Sequence, residues 1–331
     1  MPITPNIENG KKGSDLSKQV IIKATVKKSP QKNEQEKNSD SKLKKTRQKR
    51  DDSTAYQKRN EIFPIVGVGA SAGGLESFKR LLIAMPENPG IAFILIQHLD
   101  PAHQSYMDEL LSRYTKMKVV QIDKNLKVKP NCIYIIAPNS EIVFNNGELI
   151  LTETKKQRGW RTPIDTFFLS LAEQKKENAI GIILAGTGSD GTIGVKAIKS
   201  SGGMAMAQSP STTQYEGMPA SAIATGVIDF VLPIEEMPEV LLKYVKHYYG
   251  KYPILSDYSK KISTDLKNIF SILQLHTTHN FRYYKKNVVI RRITRRMSLK
   301  QIDKMSDYVS FLRESPAETM KLFNDLLISV T

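Results

Sequence analysis

Three runs of uninterrupted apolar residues most narrow what this chain can fold into: FPIVGVGA, IAFILIQ and AIGIILAG, each breaking off into small or polar residues. Such runs are too short for helices and lack polar alternation, so they read as strands covered on both faces, the condition of a parallel sheet. Stretches of helical period lie between them. In GGLESFKRLLIAMP, residues Leu75, Phe78, Leu81, Leu82 and Met85 recur at three- and four-residue spacing. Strands alternating with helices over residues 61–250 predict an α/β domain with a mostly parallel, doubly wound sheet. CIYIIAP is expected as a third strand and IVFNNGELIL as a hairpin turning at Asn146-Gly147. MAMAQ and VIDFVLP finish the sheet, and MPEVLLKYVKHYYG is a closing amphipathic helix.

Composition separates the flanks from this domain. The net charge of +16 divides into 16 basic and 7 acidic residues over 1–60, 18 and 19 over 61–250, and 15 and 7 over 251–331. The α/β region is therefore neutral, whereas a nucleic-acid enzyme spreads basic residues around its groove to meet phosphates; no nucleic-acid partner is expected. Residues 1–60 carry few apolar groups and many Lys, Gln, Asn and Ser, a composition that cannot offset chain entropy, and they are expected to be a disordered basic tail. Residues 251–331 show helical periods and no strand signal, which predicts a small all-α module. The single cysteine, Cys132, excludes a disulfide framework. With no membrane-length apolar run and a polar, lysine-rich start, the chain is expected to be cytoplasmic and without a membrane span.

In open parallel sheets, reactive groups collect beyond the carboxyl ends of the strands. There the sequence places Ser71 in Gly69-Ala70-Ser71-Ala72-Gly73-Gly74, His98 in Gln97-His98-Leu99-Asp100, and Asp190 in Gly186-Thr187-Gly188-Ser189-Asp190-Gly191. A serine in a turn of small residues leaves its hydroxyl accessible, an imidazole of near-neutral pKa takes the hydroxyl proton, and a carboxylate orients the imidazole. Amides near Ala72 and Gly73, and the Gly186–Gly188 turn, are candidate donors to an oxyanion. His103 is the competing base. Taken singly, the serine and the aspartate read equally well as helix caps or turn formers. A rival reading takes Gly67-x-Gly69-x-x-Ala72 as a dinucleotide fingerprint with Asp100 as its acid, which would make the domain a binding module.

The runs VGVGASAGGLE, IQHLD, IYIIAP, IILAGTGSDGTIGVKAI and YEGMPASAI, in this order, resemble the methylesterase domain of bacterial chemotaxis, the CheB family. The resemblance implies hydrolysis of γ-glutamyl methyl esters on the signalling helices of methylated chemoreceptors or related proteins, with deamidation of particular glutamines. It puts the nucleophile on Ser71, the base on His98 and the acid on Asp190, with oxyanion or substrate contacts at Ala72, Gly73, Thr187 and Met218. Ala72 and Thr187 depart from the threonine and methionine common there, and Asp100 from a common proline. The basic tail stands where that family usually has a phospho-receiver domain.

From residue 266, LKNIFSILQLHTTHNFRYYKKNVVIRRITRRMSL and YVSFLRESPAETMKLFNDLLISVT resemble the N-terminal helical domain of receptor methyltransferases, the CheR family. The chain thus looks like the front part of a methylesterase–methyltransferase fusion that stops before an S-adenosylmethionine-binding fold, so no cofactor and no metal are expected. Arg291, Arg292, Arg295 and Arg296 are expected to form a basic helical face for an acidic receptor helix. The competing reading is an adaptor with a vestigial hydrolase site.

Overall fold

A computed structural model describes residues 63–97, 106–137, 140–152, 161–251 and 263–328. The expected tail, together with His98, Asp100 and His103, lies outside the described residues. The apolar runs form strands β1 (Ile65–Ala70), β2 (Ala92–Gln97) and β8 (Ala179–Ile183). They join β3 (Lys118–Ile122), β5 (Cys132–Ile136), β9 (Met204–Gln208) and β10 (Phe230–Leu232) in a seven-stranded sheet of order β10-β9-β8-β1-β2-β5-β3. Every pairing in it is parallel. The hairpin is present but belongs to a separate sheet: β6 (Glu141–Asn145) and β7 (Glu148–Thr152) pair antiparallel with β4 (Leu126–Lys127) beyond them. Asn146 and Gly147, both at positive φ, make its turn.

Side chains alternate between the two faces of the main sheet. On one face Val66, Val68, Phe93, Leu95, Ile180 and Ile182 pack with α1 (Gly74–Ile83) and α6 (Met237–Lys251). The short α2 (Met107–Ser112) adds Met107 and Leu111 to that layer. On the other face Ile65, Ile94, Ile96 and Ile183 pack with α3 (Pro163–Lys175), α4 (Thr192–Ser200) and α5 (Gly217–Ala224). The strand glycines belong to this second face. A Cβ on Gly67 would lie 2.6 Å from the Phe168 ring, one on Gly69 2.6 Å from Ile164, and one on Gly181 2.6 Å from Ile198. Gly67 and Gly69 thus sit inside β1, where they admit large side chains of α3. That removes the dinucleotide reading, which needs these glycines in a phosphate-facing loop after the strand.

The C-terminal segment is helical: α7 (Ser263–Thr277), α8 (Lys286–Leu299), α9 (Met305–Glu314) and α10 (Pro316–Leu327) close around Ile269, Leu273, Phe281, Val289, Ile293, Tyr308, Leu312 and Leu322. SPAE starts α10, with Pro316 in its first turn and the Ser315 hydroxyl accepting the Glu318 amide.

The arginine face of α8 points inward, which corrects the expectation of a solvent-facing recognition surface. Arg292, Arg295 and Arg296 are 4%, 1% and 5% exposed. Arg295 and Asp325 of the helical module form a closed ring with Lys199 and Asp229 of the α/β domain. Arg295 meets Asp229 and, at 2.7 Å, Asp325, while Lys199 lies 2.8 Å from Asp229 and 2.9 Å from Asp325. Burial alone would raise the Asp229 carboxyl; Arg295 and Lys199 outweigh it and hold the group down at about 2. Arg295 also donates from Nε to the Gly203 carbonyl at 2.9 Å. Arg292 donates to the carbonyls of Lys199 and Ser200 at the C-terminus of α4, and Arg296 makes a two-bond fork to Glu318 within its own module. Arg291, the one more exposed member, lies 3.3 Å from Glu177. A row of arginines at helical spacing looks the same in sequence whether solvent or distant carboxylates await it. Here carboxylates meet Arg291, Arg295 and Arg296, and main-chain carbonyls meet Arg292.

Candidate active site

The strand order runs β1-β2-β5-β3 in one direction and β8-β9-β10 in the other, so the crossovers diverge between β1 and β8. A crevice opens at such a point beyond the strand ends. Ser71 leaves β1 there and Gly186 follows β8 beside it. The Ser71 amide donates to the Ala185 carbonyl at 2.9 Å, and a Cβ on Gly186 would lie 3.0 Å from Cβ of Ser71. Only glycine lets the two loops come this close.

Ser71 is partly exposed, and Gly73, at φ 75°, turns the chain into α1. The Ser71 carbonyl is fixed by the Gly74 amide at 2.8 Å and by Nε2 of Gln97 at 3.3 Å. Because its own amide is spent on Ala185, Ser71 is not an oxyanion donor through its N–H. The Gly186 amide is spent too, on the Tyr215 carbonyl at 2.9 Å. No such partner claims the amides of Ala72 and Gly73 among the described residues, and they remain the donors next to the serine.

Asp190 is 7% exposed and caps α3 from across the loop. Its carboxylate accepts from Ile164 at 3.0 Å, Asp165 at 2.9 Å and Gly191 at 2.8 Å. Thr162, at the N-cap position of α3, makes no cap with its own side chain, so Asp190 supplies what it leaves open. Asp165 returns the arrangement: its Oδ1 accepts the Gly194 amide at 2.7 Å in the first turn of α4. Burial raises the Asp165 carboxyl, and the charge of Asp190 adds to that. These bonds fix the Asp190 carboxylate firmly in its loop.

The remaining site expectations divide. Thr187 is exposed on the acid loop and Ala72 and Gly73 line the serine turn. Met218 is 0% exposed and packs beneath the loop, with its sulfur 2.2 Å from where a Cβ on Gly186 would stand. This corrects its assignment as a substrate contact: it supports Gly186 from below. Sequence reasoning overlooked Gln208 and Tyr215. Gln208 is 0% exposed and accepts the Ala185 amide at 2.9 Å, and the Tyr215 ring covers Gly73, 2.9 Å from where its Cβ would stand. A glutamine closing the buried run MAMAQ was the available signal, since a polar side chain there must find buried partners.

The fold is that of a doubly wound α/β domain whose sheet reverses direction between β1 and β8. Residues 66–241 match the family model described as CheB methylesterase, and residues 264–327 match that of the CheR methyltransferase all-alpha domain. The crystal structure of the Thermotoga maritima CheB methylesterase catalytic domain superposes with a TM-score of 0.52 at 30% identity, covering 56% of this chain and 100% of that one. A Burkholderia thailandensis protein named protein-glutamate methylesterase/protein-glutamine glutaminase 4 is 32% identical over 55% of this chain and 54% of its own length. An uncharacterized 104.1 kDa protein of Rhodobacter capsulatus is 34% identical over 68% of this chain, which spans only 26% of that relative. The first of these matches takes in more than half of the sequence: the chain belongs to the CheB methylesterase family, and its methylesterase domain is followed by a CheR-type all-alpha domain.

Proposed function

We propose that this chain is a protein-glutamate methylesterase that hydrolyses γ-glutamyl methyl esters on helices of methylated chemoreceptors or related signalling proteins, in chemotactic adaptation. The observation that carries this reading is the meeting of the Ser71 turn and the Asp190 loop at the reversal point of the sheet, through the Ser71–Ala185 bond and the Gly186 approach. The Ser71 hydroxyl attacks the ester carbonyl; a base takes its proton and returns it to the departing methanol; water then cleaves the acyl-serine. His98, the residue next after β2, is the base in this reading, and Asp190 its orienting carboxylate. The amides of Ala72 and Gly73 receive the developing oxyanion. The same acyl-enzyme chemistry releases ammonia from a glutamine side chain, which matches the double name of the Burkholderia relative. The adaptor reading loses support because three of the four arginines on which it rests are engaged internally.

The test is methanol release from a methylated receptor fragment. Wild-type protein is expected to release methanol, and Ser71→Ala to lower the rate by three orders of magnitude or more while unfolding at an unchanged temperature. Equal release by both proteins would remove Ser71 from the reaction.

A further inference from the structure

The Gln97 side chain reaches the Ser71 carbonyl at 3.3 Å, but the Ser71 amide is held by main chain alone. What lies behind it is the peptide of Ala185, whose carbonyl accepts the Ser71 amide at 2.9 Å and whose own amide donates to Oε1 of Gln208 at 2.9 Å. Gln208 is fully buried at the exit of β9. Its other end donates from Nε2 to the carbonyl and hydroxyl of Thr212, each at 3.3 Å. The chain then leads from Thr212 to Tyr215, whose carbonyl takes the Gly186 amide and whose ring lies over Gly73. One side-chain amide therefore joins the peptide behind the serine to the segment that closes over the serine turn.

We infer that Gln208 is a positioning residue for the nucleophile: by holding the Ala185 amide it sets the height of the Ala185 main chain, and through the Ala185 carbonyl the direction of Ser71 and the spacing between the serine turn and the Asp190 loop. A neutral amide suits this place because it must accept at one end and donate at the other. Removing it leaves the buried Ala185 amide without a partner, and the loop can answer only by shifting. Misplacement of a reacting group by about 1 Å costs on the order of a hundredfold in rate. The inference rests on Ser71 being the nucleophile of the proposed reaction, not on the identity of the ester.

The experiment compares wild type, Gln208→Met and Gln208→Glu for kcat and KM of methanol release, and for the rate at which an alkyl fluorophosphonate labels Ser71. Gln208→Met, similar in size but without either bond, is expected to lower kcat and labelling at least tenfold with KM within twofold. Gln208→Glu reproduces both bonds only when protonated, so its labelling rate relative to wild type is expected to rise as pH falls. A folded Gln208→Met that labels at the wild-type rate overturns the inference. Should that variant fail to fold, a pH-independent Gln208→Glu ratio overturns it instead. Methanol release judges the proposed function and labelling judges this inference: slowed labelling with no methanol release from wild type leaves Gln208 positioning a nucleophile for another ester. Wild-type Ser71 that resists labelling overturns both.

Discussion

Gly186 shows how little room the site has for change. A methyl group there would stand 2.2 Å from the Met218 sulfur and 3.0 Å from Cβ of Ser71. The thioether can swing aside, but Ser71 cannot move without breaking its bond to Ala185. Gly186→Ala is therefore expected to cost about 1–3 kcal/mol in urea unfolding and to lower methanol release more than that loss of stability accounts for. Ser71 and Asp190 stood out in the sequence because each stands among small residues at the end of a buried run. Gln208 did not, and Met218 stood out for another role, because their duties are to residues 23 and 32 positions away, Ala185 and Gly186, and nothing in a linear pattern reports such pairs. The arginines of α8 were legible as charges and misread as surface for the same reason: Asp229 lies 66 residues before Arg295.

At the scale of elements, α3 and α4 cap each other. Asp190 precedes α4 and serves the first turn of α3; Asp165 lies in that turn and serves α4. The exchange puts two carboxyls close together, and Asp165 ionises less readily in the folded protein than in the unfolded chain. The folded state thus binds that proton more tightly, and stability is expected to fall as pH rises through about 4, the ordinary carboxylate range, toward the raised folded value. Asp165→Asn keeps an acceptor for Gly194 and is expected to flatten this part of the stability–pH curve, as urea midpoints at stepped pH will show. The strands of the main sheet were readable where burial on both faces removed polar residues. Edge strand β3, KVVQI, is partly exposed along most of its length and offers neither a buried run nor alternation, and the cap that starts α3 comes from a residue 26 positions downstream.

Over the whole molecule, the two family domains meet through buried charge, with Arg292 also closing the C-terminus of α4. Removing one member leaves an ion without its partner, so Asp229→Asn or Arg295→Met is expected to cost about 3–5 kcal/mol, while the double variant recovers part of the loss. Because Asp229 is held at about 2, its contribution is fully present above pH about 4 and disappears as pH falls toward 2. That loss, about 2 kcal/mol, is expected in acid unfolding of the wild type and absent from Asp229→Asn. The ring has a further property. Lys199 and Asp229 come from one domain, Arg295 and Asp325 from the other, and each couple is already paired within its own half. Parting the halves strands none of the ring's four ions. A chain severed between residues 252 and 262 should therefore yield two pieces, each with its share of the ring already paired, that find each other again after dilution from urea.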